Sequence, residues 1–179
     1  MPDVVIANAG ISQGSVNDFR EDLPAFEAVL DTNVMGLVRT FQPFVAAMRA
    51  TRRGALVGIA SVAGFRGLPG SGAYSASKAA AIAYLESLRV EMVGSGVAVV
   101  TVCPGYIATP MTAKNPYPMP FLLASDKAAR LIARAIARRR RFYVLPWQMA
   151  RVGWLLRRLP RPLYDAAFAR AQRKPRSPP

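Results

Sequence analysis

Residues 55 to 92 constrain the fold of this chain more than any other stretch. Ala55-Leu-Val-Gly-Ile-Ala60 is a short apolar run rich in branched side chains, the pattern of a strand buried in a parallel sheet. Ser61 stands where the run ends, and a loop follows that carries Gly64, Gly67, Gly70 and Gly72. Tyr74 then opens an Ala-rich stretch to about Met92 that reads as a helix. Strand, loop and helix in this order bring Ser61, Tyr74 and Lys78 to the carboxyl edge of a sheet, where open α/β folds bind ligands.

Tyr74 and Lys78 lie one helical turn apart and share a helix face. A free phenol titrates near 10 and is a poor base at neutral pH, and a neighbouring ammonium is expected to lower that value. A serine hydroxyl beside them can donate a hydrogen bond to a carbonyl or alkoxide oxygen. The set suits proton transfer to and from an alcohol. Two other readings fail. Ser75-Ala-Ser-Lys78 has the S-x-x-K spacing of penicillin-binding acylases, but the chain has neither S-D-N nor K-T-G. No G-x-S-x-G elbow surrounds Ser61 or Ser71.

Further strands are expected at 3–7, 97–102 and 142–145, and helices at about 24–50, 74–93 and 125–138. The first helix should break near Asn33 and be perturbed by Pro43. By residue type alone Asn33 also fits a helix-interrupting or capping role. Residues 104–124 hold five prolines and are expected to form a loop with little regular structure. Its apolar members, among them Met111, Tyr117 and Phe121, fit either a lipophilic substrate or a cover for the core.

With these elements placed, the chain resembles the short-chain dehydrogenase/reductase family from residue 3 to about 145. Asn8-Ala9-Gly10 follows the first strand, Asn33 lies in Asp31-Thr-Asn-Val-Met-Gly36, Ser61 precedes Tyr74-x-x-x-Lys78, and Pro104-Gly105-Tyr-Ile107-Ala-Thr109 follows the strand at 97–102. The resemblance implies an α/β fold, a three-layer Rossmann-like, doubly wound parallel sheet, here missing its first strands. It implies Tyr74 as general acid/base, Lys78 as the cation that lowers its pKa and binds the nicotinamide ribose, Ser61 as the group that polarises the substrate oxygen, and Asn33 as holder of a relay water. Asn8, Ala9, Gly10, Tyr74, Lys78, Pro104, Gly105, Ile107 and Thr109 are the implied cofactor contacts. NAD(P) is the implied cofactor, with a lean to NADP, and the hydride is its contribution. The implied reaction interconverts an alcohol and a ketone or aldehyde. The implied assembly is a homodimer or homotetramer through the helices at 24–50 and 74–93.

The family's cofactor fold opens with a strand and a Thr-Gly-x-x-x-Gly-x-Gly turn that cradles the pyrophosphate, and no such turn occurs in this sequence. Met1 is therefore expected to be a truncated or misassigned start, or to open a gene fragment. Without its upstream neighbours, Val4 to Ala7 would be an exposed apolar edge. Alternatively, another chain supplies the missing strands. The alternative function is a non-catalytic remnant serving only oligomerisation or peripheral membrane binding.

The single cysteine, Cys103, excludes an intrachain disulfide and fits a reducing, cytoplasmic setting. Without histidine, His-dependent triads and most catalytic zinc sites are ruled out, and no metal site is expected. The net charge of +14 is uneven. Residues 1–124 carry nine basic and eight acidic side chains, residues 125–179 fifteen and two. Three regions are expected: a catalytic half over 1–146, a basic amphipathic helical extension over 147–174, and a disordered tail over 175–179. In the extension Val152, Leu155, Leu156 and Leu159 form a helical stripe flanked by arginines. That stripe fits either an anionic membrane surface or packing on the domain or a partner subunit. No reading motif accompanies the arginines, so nucleic acid is not an expected partner.

Overall fold

The computed structural model describes residues 1–14, 18–172 and 176. Its centre is a parallel sheet of four strands: β1 (Val4–Ala7), β2 (Ala55–Ile59), β3 (Ala98–Pro104) and β6 (Phe142–Leu145), lying side by side in that order. The register sets Val5 beside Leu56, Leu56 beside Val99 and Val102 beside Tyr143. Branched side chains fill both faces of the inner strands because helices cover both. On one face α2 (Gly36–Thr51) and α3 (Gly72–Glu91) bury Phe41, Met48, Leu56, Leu85 and Val99 in one cluster, and α1 (Leu23–Leu30) packs against α3. On the other, α5 (Ser125–Ala137) covers Val57, Val100, Val102 and Leu145. Three layers result, with all four strands ending at one edge.

The core under α5 contains no β1 residue. Val5 and Ala7 are buried towards α2, whereas Val4 and Ile6 point the other way and are 41% and 47% exposed. The apolar edge expected at β1 is present.

The helix over residues 23–51 does not break at Asn33. Residues Asp31–Met35 instead form one π-helical turn that joins α1 to α2, and Pro43 sits inside α2. A π turn absorbs the extra residue without ending the helix, and one lost amide donor at Pro43 is tolerated where packing holds both sides. Residues 104–124 are also more regular than five prolines suggested. β4 (Ile107–Ala108) pairs with β5 (Leu123–Ala124), and α4 (Pro110–Ala113) lies between them. Pro110 occupies the first turn of α4, where its missing N–H costs nothing, and Thr109 and Thr112 cap each other reciprocally.

The C-terminal region forms α6 (Trp147–Arg158) and α7 (Arg161–Phe168). The expected disordered tail at 175–179 falls outside the described residues except for Arg176, whose guanidinium meets the buried Asp22 carboxylate at 2.8 Å.

Candidate active site

β2 delivers Ser61. Its backbone is extended, and its Oγ accepts a hydrogen bond from the Ala63 amide at 3.1 Å, starting a short 3-10 turn over Val62–Gly64. That turn lies directly on α3. A Cβ at Gly64 would fall 2.7 Å from the Lys78 carbonyl carbon and 2.8 Å from its oxygen, so only glycine permits the approach. Ser61 is thereby held beside the first turns of α3, which carry Tyr74 and Lys78. The Ser75 hydroxyl accepts from the Leu68 amide at 3.2 Å and pins the rest of the loop to the same helix.

Lys78 is 4% exposed and donates to the Ile59 carbonyl at 2.8 Å, so its ammonium lies under the end of β2. Burial lowers its pKa from 10.5 to about 8. Nζ stands 5.7 Å from the Tyr74 ring centroid. The Tyr74 phenol is pushed up by burial; a hydrogen bond with Ser61 pulls it back, and the nearby Tyr106 phenol raises it further. The lowering expected from Lys78 is therefore not what this arrangement delivers, because the lysine faces a backbone carbonyl and desolvation outweighs the rest. Tyr74 stands as a protonated acid at neutral pH.

Asn33 is fully buried, and its carboxamide is spent on structure. Oδ1 accepts from the Ile11 amide at 2.8 Å, while Nδ2 donates to the Ile11 carbonyl at 3.0 Å and to Ser77 Oγ at 2.9 Å. Ser77 in turn donates to the Tyr74 carbonyl at 2.8 Å. Asn33 thus ties the loop after β1 to α3. Gly10 lies in the same cluster, since a Cβ there would come within 3.3 Å of Asn33 Oδ1 and 3.4 Å of Lys78 Nζ. Asn8 and Ala9 are exposed beyond the carboxyl end of β1.

Pro104 ends β3 in the core, and the Gly105 amide donates to the Leu145 carbonyl at 2.7 Å. Ile107 and Thr109 follow in β4 and at the start of α4. A cavity of about 300 Å³ opens beside these elements, with Ser61, Tyr74 and Gly105 in its wall. Asn8, Ala9, Gly10, Asn33, Lys78, Ile107 and Thr109 do not line it. Two neighbouring clusters result: Ser61 and Tyr74 on the cavity, and Gly10, Asn33 and Lys78 together beside them.

No charged side chain lines the cavity among the described residues. Leu68, Met111 and Tyr117 contribute apolar surface, and so do Met149, Leu156 and Phe168 from the C-terminal helices. The extension therefore packs on the domain as a wall of the site. Its buried residues are Met149 and Gly153; of the expected stripe Val152 and Leu156 line the cavity, while Leu155 points to solvent. Arg66 fixes the extension by donating to the Leu156 and Leu159 carbonyls at 3.1 and 3.0 Å and stacking 4.1 Å over the Tyr164 ring. Tyr164 donates to the Gly67 carbonyl at 2.5 Å. Sequence reasoning missed Gly64, Ser77, Met149 and Phe168. The i, i+4, i+7 spacing of residues 149, 153 and 156 was the available signal for the wall, while Gly64 and Ser77 left none.

Cys103 is buried, and its thiol is pushed up to about 12 by desolvation, which makes it inert. No group of metal-ligating side chains occurs among the described residues, and no helix among them is long and apolar enough to cross a membrane.

The family model described as short chain dehydrogenase matches residues 2–118. An uncharacterized oxidoreductase of Myxococcus xanthus is 42% identical over 168 residues, covering 94% of this chain and 66% of that protein. A 3-oxoacyl-(acyl-carrier-protein) reductase of Thermotoga maritima is 38% identical over 116 residues, covering 64% of this chain and 46% of its own length. The chain thus spans between about half and two thirds of the length of these relatives. A short chain dehydrogenase of Burkholderia cenocepacia, solved in complex with NADP, superposes with a TM-score of 0.80 at 25% identity, covering 94% of this chain and 69% of that one.

Proposed function

Because the chain belongs to the short-chain dehydrogenase/reductase family, we propose that it carries the alcohol–carbonyl chemistry of an NAD(P)-dependent oxidoreductase. The observation that bears most weight is the convergence of Ser61 and Tyr74 on one uncharged cavity, with Lys78 buried directly behind. Tyr74 gives its phenolic proton to the carbonyl oxygen of a bound ketone or aldehyde, and takes one back in alcohol oxidation. Its raised pKa keeps that proton in place until negative charge develops on the substrate oxygen. Ser61 donates a hydrogen bond to the same oxygen, and the Lys78 cation stabilises the phenolate left behind. Asn33 acts as a positioning residue by locking Ile11 to Ser77, beside a π turn whose freed carbonyls suit a relay water.

The residues present fit the nicotinamide end of a dinucleotide. Lys78 has two donors beyond the one given to Ile59, which suits ribose hydroxyls, and Gly10 leaves room above it. Asn8, Ala9, Pro104, Gly105, Ile107 and Thr109 lie along the same strand ends. When bound, the cofactor supplies or accepts the hydride. NADP is favoured over NAD on the strength of the Burkholderia cenocepacia complex. The apolar, uncharged lining supports a neutral, lipophilic substrate. Met35 on the π turn and Val90 on α3 are exposed, which supports pairing of these helices in a dimer or tetramer. The test is ketone-dependent oxidation of NADPH and NADH over a panel of neutral alkyl and aryl ketones. With no Thr-Gly-x-x-x-Gly-x-Gly turn in the sequence, weak cofactor binding and low turnover at high cofactor concentration are expected, and turnover that Tyr74→Phe leaves unchanged would refute the reading.

A further inference from the structure

The outward face of α6 presents large exposed side chains. Trp147, Arg151, Trp154, Leu155 and Arg158 fall within about a quarter of the helical wheel at 3.6 residues per turn. Trp147, Trp154 and Leu155 are 61%, 57% and 58% exposed. The opposite face carries Met149 and Gly153, so the side chains turned outward are not those that hold the helix on the domain. Each exposed indole has an arginine one turn later: Arg151 lies 4.8 Å over the Trp147 ring and Arg158 4.0 Å over the Trp154 ring. Leu163 of α7 is exposed as well.

We propose that this face docks on a bilayer containing anionic phospholipid. Indoles are amphipathic rings that settle at the level of lipid headgroups, and guanidinium groups stacked on them sit at that depth to meet phosphates. α6 contains no acidic residue, and residues 125–179 hold fifteen basic against two acidic side chains, so the charge is of the sign an anionic leaflet attracts. A second copy of the chain is the poorer occupant, because an isologous contact would set the same arginines against each other. α6 then has two duties. Its outward face meets lipid while Met149, Val152 and Leu156 line the cavity, which places the cavity about one helix diameter, roughly 10 Å, from the bilayer. Docking is independent of the proposed chemistry and stands or falls without it.

Both tryptophans of the chain lie on this face, so intrinsic fluorescence reads the contact directly. The full chain is mixed at physiological salt with phosphatidylcholine vesicles, with or without phosphatidylglycerol, and with brominated lipid as quencher. A blue shift and quenching that require the anionic lipid are expected, and R151Q/R158Q should partition about 20-fold more weakly. Emission untouched by brominated lipid overturns the proposal, as does vesicle binding that R151Q/R158Q leaves unchanged. Concentration-dependent dimerisation that buries the indoles without vesicles, or duplex DNA binding with no response to vesicles, overturns it as well. Quenching of the native chain decides the matter even if the variant fails to fold.

Discussion

The corner around Tyr74 and the C-terminal helices α6 and α7 both contribute to one cavity, yet they are built in opposite ways. At the corner, buried polar groups are matched pair by pair: Asn33 to Ile11 and Ser77, Lys78 to Ile59, Ser61 to Ala63. An unmatched polar group there would cost about 1–3 kcal/mol, so residue types and spacing are held tightly. The C-terminal helices contribute apolar surface, anchored by Arg66 and Tyr164, and leave both tryptophans largely in solvent. Chemistry that needs fixed partners leaves a spaced motif in sequence. A wall needs only shape, and leaves a periodicity that more than one face can satisfy.

Lys78→Met should break the comparison most severely, because it separates function from stability. Turnover should fall by at least about a hundredfold. Stability should move the other way. With a folded pKa of about 8 against 10.5 unfolded, the folded chain binds fewer protons between those values. Native stability therefore carries its full penalty below pH 8 and gains up to about 3 kcal/mol as pH rises to 10.5. Urea unfolding should show K78M more stable than the native chain at pH 7 by about 1–3 kcal/mol, with the gap closing towards pH 10. A K78M protein less stable at pH 7 would mean that Lys78 is not buried as a charge.

Gly64→Ala ranks next. The added methyl meets the backbone of α3 rather than a side chain that can yield, so a loss of about 1–3 kcal/mol in thermal unfolding is expected. Activity should fall with it as Ser61 moves off Tyr74; an unaltered melting curve would show that the loop does not rest on the helix. Met149→Ala probes the C-terminal wall. It should raise KM for a bulky ketone by roughly tenfold with kcat held within about twofold, the pattern of lost uniform binding. A fall in kcat alone would place Met149 in the chemistry rather than the wall. The smallest effect belongs to the sheet edge, where Ile6→Thr on the exposed face of β1 should change stability by less than about 0.5 kcal/mol. A larger loss would mean that this face is packed.

The sheet and the corner were readable in sequence for one reason. β2 and β3 are apolar without alternation because both faces are covered, and Ser61, Tyr74 and Lys78 are fixed by the geometry of one strand, loop and helix. Interruptions were harder. Asn33 and Pro43 carry breaking propensity, but packing of α2 on the sheet and of α1 on α3 overrides it through a π turn. The electrostatics of Tyr74 were misjudged because spacing places Lys78 on the right helix face without saying where its ammonium points. The Ile59 carbonyl decides that, and it belongs to another element. In the C-terminal extension, residues 152, 155, 156 and 159 and residues 149, 153 and 156 both satisfy helical spacing. The close approach of Met149 to Gly105 and of Gly153 to Phe65 turns the second set to the domain, while Val152 and Leu156 of the first line the cavity and Leu155 faces solvent.

The central claim is that the Tyr74 phenol moves the proton, and Tyr74→Phe tests it most directly because one oxygen is removed from an otherwise intact ring. With ketone and NADPH, kcat/KM should fall by about 10²–10⁴-fold while the affinity for NADPH, read by fluorescence, stays within about threefold. Ketone reduction by Y74F at the native rate would contradict the account.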